Sequence, residues 1–391
     1  MKDELKNLRS VFHQTIFQEN HFTEANRQIV MVRIKDGEKR YRNKNRLYIR
    51  TFKPVFLAIG TGALCVLLFV AFQNIFLKQN LLDHEGNFVQ SEIPDESSEH
   101  GAKMATVNSN LDLPESVIEQ VASQLNKSDK DISPEDLSRV TYLEINEPFE
   151  YASVLSQFDN LEELAVYIPV EDWSFLQEVP ELHSLHIANN ELKDLTFLPE
   201  SLPLTYLAVE NNKLQQLEGI QRFPGIRTLS IIQNEITDLE PLRSLPGLTV
   251  LYARDNKITT LDQLKDLTTI EILDIGTNPI RDFSALAHFS NLQILSMSDT
   301  GLETLEVLKD LHELLRLDIR GTAVSDLSPL ADKKKLYFLD IRDTEVASIE
   351  PLLGMDNLRF VLLDKDRVAD WTLLEDQEHV VEVSEDDIIA Q

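Results

Sequence analysis

Few residues in this chain have the types and spacings that catalysis needs. The single cysteine, Cys65, stands inside the uncharged run "PVFLAIGTGALCVLLFVAFQNIFL". There it supports neither a thiolate nucleophile nor a disulfide nor a cysteine metal site. His183 and His186 are three residues apart on a short strand-like segment, with no carboxylate or further histidine at metal-ligand spacing, so a surface role is expected for them. Adjacent acids such as Glu162–Glu163 and Asp386–Asp387 read as solvated charge. No phosphate loop, dinucleotide fingerprint or G-x-S-x-G elbow occurs. No enzymatic activity, cofactor or metal is expected. What remains is the chemistry of recognition: arginines, aspartates, tyrosines and branched aliphatics that recur at fixed intervals.

Those intervals define the elements. Segments such as "LYFLDIRDTEVASIEPL" begin at Leu182, Leu204, Ile226, Leu248, Ile270, Leu292, Leu314, Leu336 and Leu358, each 22 residues after the last. Two weaker units begin at Val140 and Leu161, so about eleven units fill residues 140–374. A fixed period in the twenties marks a solenoid. Within a unit the apolar positions are the first, fourth, sixth, eleventh, fourteenth and seventeenth, as in Leu204, Leu207, Val209, Leu214, Leu217 and Ile220. The opening L-x-x-L-x-L alternates like a short strand, and the later aliphatics suit a turn and a tight helical segment. No unit can bury its own aliphatics, but a stack of units makes one continuous core.

The ninth position holds Asn190, Asn212, Asn234, Asn256 and Asn278, then Thr300, Thr322 and Thr344. A short polar side chain there can satisfy backbone groups that the turning coil leaves unpaired. Pro148, Pro169 and Asp366 replace it in the terminal units. With "N-x-I-x-D-L-x-P-L" in this 22-residue form, the chain resembles leucine-rich repeat proteins and is similar to the repeats of bacterial internalins. The preceding "LPESVIEQVASQLNKSDKDISPEDLSRVTYLEI" is similar to the helical cap that opens internalin repeat domains. In it Val117, Val121 and Leu125 share one helix face, and "SPED" offers Ser133 as N-cap, Pro134 at N1 and Asp136 at N3. The resemblance spans roughly residues 113 to 374 and implies an α/β solenoid: a leucine-rich repeat arc with short parallel strands on its concave face, turns and 3-10 segments on its convex face, and an N-terminal helical cap.

Period-two alternation then assigns side chains to the concave face. Third, fifth and seventh positions face out, which singles out Tyr206, Ile232, Val250, Tyr252, Arg254, Ile272, Asp274 and Ile294 in the middle of the arc. Val250, Ile272 and Ile294 form an expected exposed apolar strip, a mark of interaction sites, although strands favour β-branched residues in any case. Toward the C-terminus the columns hold Arg316, Asp318, Arg320, Phe338, Asp340 and Arg342, whose charges alternate and can pair across adjacent strands. Ten strand steps of about 4.8 Å make an inner face roughly 48 Å long, a size that suits a protein partner.

Charge divides the chain. Residues 1–53 hold 13 Lys or Arg against 6 Asp or Glu, a net +7, and residues 78–391 hold 24 against 60, a net −36. Between them, residues 54–77 are long enough for a transmembrane helix, which needs about 20 apolar residues, and they start too late for a cleaved signal peptide. Lys39, Arg40, Arg42, Lys44, Arg46, Arg50 and Lys53 precede the span, so the positive-inside rule sets residues 1–53 as a basic cytoplasmic tail and the repeats outside the cell membrane. Residues 78–112 read as an acidic linker, 113–139 as the cap, and 375–391 as a C-terminal cap or tail without a wall-sorting pattern. "RQIVMVRIKDGEKRYR" can form a hairpin around Asp36-Gly37. The tail's charge sets topology, docks a cytoplasmic partner or adheres to anionic lipid. No recognisable nucleic-acid motif accompanies it.

Three functions fit these features. One is a membrane-anchored extracellular adhesion or recognition module, binding a protein partner on the concave face. Another is a structural or assembly subunit of a bacterial membrane or secretion complex, with the basic tail docked in the cytoplasm. The third is a signalling receptor, for which one span and a short tail without an effector domain offer little support. The acidic repeats favour a basic partner and association that slows with salt.

Overall fold

The protein is described by a computed structural model over residues 111–374 and 381–383. The expected cytoplasmic tail, hairpin, span at 54–77 and nearly all of the linker lie outside the described residues, as do Asp386 and Asp387. Among the described residues no helix is long and apolar enough to cross a membrane.

Among the described residues twelve strands pair in sequence order, every pair parallel, to form one sheet. They are β1 (Tyr142–Ile145), β2 (Glu163–Val166), β3 (Ser184–Ala188), β4 (Tyr206–Glu210), β5 (Thr228–Ser230), β6 (Val250–Tyr252), β7 (Ile272–Asp274), β8 (Ile294–Ser296), β9 (Arg316–Asp318), β10 (Phe338–Asp340), β11 (Phe360–Leu362) and β12 (Val381–Val383). From β3 to β11 equivalent residues are 22 apart, as the repeat period requires; Leu273, for instance, pairs with Leu251 and Leu295. The return path of most coils is a 3-10 segment such as Glu240–Ser244 or Ser328–Leu330, both with Pro in the first turn. A 3-10 segment is thicker than the strand spacing, so the stack bends with the sheet on its inner side.

Leucines of the first, fourth, eleventh and fourteenth positions close the interior. Leu248, Leu251, Ile258 and Leu261 are all fully buried, and so are their equivalents one repeat on, Ile270, Leu273, Ile280 and Phe283, but for a trace of Phe283. Each buried leucine contributes about 1.5–3 kcal/mol relative to exposure. The eighth position turns the chain out of the strand in the left-handed region, at φ between 48° and 61° for Asn189, Asn211, Gln233, Asp255, Thr277, Asp299 and Asp343. Asn and Asp tolerate that conformation, and β-branched Thr277 does not. The ninth position then fills the turn. Asn256 Oδ1 accepts from Ile236 N–H at 3.0 Å, and its Nδ2 donates to Ile231 carbonyl at 2.8 Å, both in the preceding coil, and to Ala253 carbonyl at 3.1 Å in its own. Thr322 and Thr344 bond within their own coil, donating to the carbonyls of Ile319 at 2.7 Å and Ile341 at 2.6 Å, and Thr344 also accepts from Val346 N–H at 3.4 Å.

The cap forms as the sequence indicates. Helix α1 (Glu115–Leu125) buries Val117 and Val121, and α2 (Pro134–Leu137) starts with Asp136 reaching back to accept from Ser133 N–H at 2.9 Å. A third short helix, α3 (Tyr151–Leu155), follows β1. Gln120 on α1 also does what a neighbouring strand would do for β1: its Oε1 accepts from Glu144 N–H at 2.8 Å and its Nε2 donates to Glu144 carbonyl at 2.9 Å. That pairs part of an otherwise open sheet edge. At the other end, "VEV" within the expected C-terminal cap or tail pairs with β11 as the twelfth strand, 21 residues after it; the rest of residues 375–391 lies outside the described residues.

Candidate functional site: the inner face of the sheet

Every side chain singled out in the sequence lies on the strand face opposite the leucine core, or in the turn just after a strand. The register lines the third positions into one row across six neighbouring strands: Val250, Ile272, Ile294, Arg316, Phe338 and Phe360. Tyr206 lies two strands before this row, and Ile232 follows β5. Val250, Tyr252, Tyr206 and Ile232 are half-buried.

The expected apolar strip is not open along its length. Ile272 and Ile294 are each 3% exposed. Their burial is not a slip in register, because Leu251, Leu273 and Leu295 keep the fourth position in the core at 0%. Alternation fixes the side of the sheet but not the depth, and on the inner side of a bend neighbouring side chains converge. The same face carries buried charge, where exposed pairs were expected.

Arg254 organises the middle of the face. It leaves β6 and crosses β7: its Nε donates to Asp274 Oδ2 at 3.1 Å, and its Nη2 reaches Ser296 and Ser298 hydroxyls at 2.8 Å and 2.6 Å. Asp318 Oδ2 stands 4.0 Å from the same Nη2. Burial opposes the Arg254 charge, but Asp274 and Asp318 outweigh it and raise its pKa. Gly276 makes the crossing possible, since a Cβ there would stand 2.6 Å from Arg254 Nη2 and 2.7 Å from Cζ. The turn beside it bears the left-handed Thr277, which accepts from Arg254 Nη1 at 3.4 Å. Backbone strain of this kind gathers at ligand-binding positions.

The alternating block divides differently from the cross-strand pairing expected of it. Arg342 pairs within its own strand register, Nη2 to Asp340 Oδ2 at 2.7 Å and Nε to Oδ1 at 3.0 Å. The two residues project to the same side, so the guanidinium folds back onto the carboxylate two positions earlier. Asp318 accepts from the backbone N–H of Arg320 at 3.1 Å. Burial first, then the charge of Asp340, push the Asp318 carboxyl up to about 6 against the pull of Arg320 and Arg254. Arg316 lies over the Phe338 ring with its Cζ 4.0 Å from the centroid. Tyr337 and Phe360 meet edge to face at 5.2 Å just beyond.

At the other end of the face His186 sits between Tyr167, whose hydroxyl is 3.3 Å from Nδ1, and Glu210, whose Oε2 is 3.4 Å from Nε2. Burial raises the Glu210 pKa, but hydrogen bonding to His186 and Ser230 outweighs it and the net direction is downward. His183 turns away to the carbonyl of Glu181. The two histidines share no ligand, and among the described residues no group of three or more His, Cys, Asp or Glu is placed to hold a metal. Glu163 is not a solvated charge: burial, and then Glu162, lift its carboxyl to about 7. Sequence reasoning passed over Gly276 and Tyr337. Only Gly276 left a signal, as the one glycine in the seventh-position column.

The Leucine Rich repeats (2 copies) family model matches residues 246–288. No curated protein matches the chain. Among solved structures, internalin InlF of Listeria monocytogenes aligns with a TM-score of 0.54 at 22% identity, over 69% of this chain and 94% of its own. Internalin C2 of the same organism aligns at 26% identity and a TM-score of 0.41, over 64% and 93%. The functional domain of Listeria InlJ aligns at 23% and 0.46, over 62% and 58%. At these identities the InlF alignment speaks for the fold alone. The repeats read in the sequence are leucine-rich repeats, and the arc they build resembles a bacterial internalin in fold.

Proposed function

We propose that this chain is a membrane-anchored recognition module that binds a protein partner on the inner face of its repeats, outside the cell, and catalyses no reaction. The observation that carries this is the third-position row from Val250 to Phe360, in which Val250, Arg316, Phe338 and Phe360 stay partly exposed, with Tyr252 and Arg254 beside it. Tyrosine and arginine are the types that dominate binding hot spots, and a face of eleven strand steps, roughly 53 Å at about 4.8 Å each, matches a protein surface rather than a metabolite. The anchor is residues 54–77, oriented by the basic cluster that precedes them. Leucine-rich repeats bind proteins through an extended surface rather than a cleft.

The test is crosslinking in intact cells with the full chain, beside a Tyr252→Ala, Phe338→Ala variant. Both side chains are half-buried on the inner face and leave the leucine core intact. A crosslinked partner should be lost from the variant; retention of every partner at unchanged yield contradicts the assignment of the face. A second reading, assembly into a membrane complex, draws on the basic tail of residues 1–53. It predicts that deleting residues 1–38, which spares the cluster that orients the span, removes co-purifying membrane subunits while crosslinks on the inner face persist.

A further inference from the structure

We infer that the inner face at β1 to β4 receives a basic segment of the protein partner, and that the Glu163 carboxylate takes one of its lysine or arginine side chains between Tyr142 and Tyr206. This rests on the recognition reading above and adds the partner's chemistry and its point of contact.

Charge is divided along the inner face. With the residue before each strand and the turn after it included, segments 141–147, 162–168, 183–189 and 205–211 hold five glutamates, two histidines and no lysine or arginine. The next such segment opens with Arg227, and the arginines that project from the face come only after β5. In the cap, Lys127 and Arg139 are both held by Asp136. A docking surface therefore meets uncompensated negative charge at this end, which calls for the opposite sign on the partner.

The three glutamates on the strand face are not alike. Glu144 accepts from the Tyr142 hydroxyl at 3.1 Å, and Glu210 is engaged by His186 and Ser230. Glu163 is half-buried in the row Tyr142–Glu163–Ser184–Tyr206 and has no hydrogen bond or ion pair among the described residues. The unmatched side-chain atoms sealed from water belong to His186, Gln263 and Arg316, so the Glu163 oxygens stay open to an incoming group. Burial, and then Glu162, raise its carboxyl to about 7 because no cation offsets them.

The surroundings suit an organic cation. Ala165, Ser184 and Ala208 are short and low, and the longer Tyr142, Tyr167 and Tyr206, all half-buried, rise among them. Burial raises the pKa of Tyr142 and of Tyr206; Glu144 adds to it for the first, Glu210 for the second, and Glu163 for both, which places each ring within the field of that carboxylate. A lysine or arginine entering here pairs with Glu163, meets tyrosine faces and lays its apolar stem against them.

The experiment uses the full chain at about pH 8, where the Glu163 carboxyl is ionised, and fluorescein-labelled peptides in which glycine alternates with lysine or with glutamine. The lysine peptide should bind at least roughly tenfold more tightly than the glutamine peptide. Glu163→Gln should cost at least about fivefold of that affinity at physiological salt, and Glu178→Gln, the same charge change at an exposed 3-10 segment, less than about twofold. The unfolding temperature should not fall in Glu163→Gln, which removes a half-buried charge without a partner. Tyr206→Leu should bind the lysine peptide a few-fold more weakly than Tyr206→Phe, which keeps the ring, by roughly the worth of a cation–π contact. No binding of the lysine peptide up to about 1 mM, equal binding of the two peptides, a loss in Glu163→Gln no greater than in Glu178→Gln, or Tyr206→Leu binding as well as Tyr206→Phe overturns the inference. If it falls while Tyr252→Ala, Phe338→Ala still loses its crosslinked partner, the inner face remains the docking surface and only the basic contact at Glu163 is wrong.

Discussion

Lys333 is the residue that departs furthest from its column. It occupies the twentieth position of its unit, where Phe223, Leu245, Leu267, Phe289, Leu311 and Met355 close the interior, and it is 1% exposed. Its Nζ escapes the apolar surroundings by donating to the Lys309 carbonyl at 2.6 Å, and burial lowers its pKa against the pull of Asp310 and Asp332. Lys333→Met keeps the volume and removes the charge, so it should raise stability by about 1–2 kcal/mol in chemical denaturation; a loss of that size would show the lysine to be a stabilising contact. Asp318 makes the opposite kind of statement about pH. Its carboxyl titrates near 6 in the fold and near 3.8 in the unfolded chain, so the native state binds the extra proton between those values and stability falls as pH rises from about 4 to about 6. The groups facing it are Arg254, Arg316 and Arg320, which ease the cost, and Asp340, which adds to it. Asp318→Asn removes this slope: its advantage over the parent should grow by roughly 1–2 kcal/mol between pH 4 and pH 7, and a gap independent of pH contradicts the assignment. The burial of neither residue was legible in the sequence. A lysine in an apolar column reads as a surface residue until its amine is seen to find a carbonyl, and the depth of an aspartate on a sheet face depends on neighbours from other repeats.

At the scale of the element, the coil was legible because nine successive units start 22 residues apart without error from Leu182 to Leu358. Strand, turn and 3-10 segment follow from where the aliphatics stand, and the cap from Ser133 and Asp136. The exchange of Asn for Thr at the ninth position was visible too, but its consequence was not. Asn256 ties its coil to the one before, whereas Thr322 ties only its own. Asn256→Ala should therefore cost about 1–3 kcal/mol, since it strands the Ile236 N–H in a fully buried place. Thr322→Ala should cost about 1 kcal/mol or less by the same denaturation measurement. Equal losses would mean that the asparagine ladder adds nothing between coils. The strand β12 inside the expected C-terminal cap or tail was not legible for a related reason: it keeps the alternation of a strand but not the spacing of a repeat.

For the whole molecule, opposite charges at the two ends of the sequence organise the proposal. The net −36 beyond residue 77 draws basic surfaces from a distance of about one Debye length, 8–10 Å at physiological salt, and association should slow as salt rises. Within contact range the face from β6 onward presents arginine, tyrosine and phenylalanine instead. In the proposed function the repeats separate long-range attraction from contact, and the face assigned to contact is the one whose leucine-lined reverse makes the fold. This account is tested most directly by a photocrosslinking amino acid placed in the full chain in intact cells, once at Phe360 on the inner face and once at exposed Lys265 on the opposite side. The account predicts a discrete crosslinked partner from position 360, none from position 265, and loss of the product when Tyr252→Ala and Phe338→Ala are added. A partner captured from position 265, with none from 360, would contradict it.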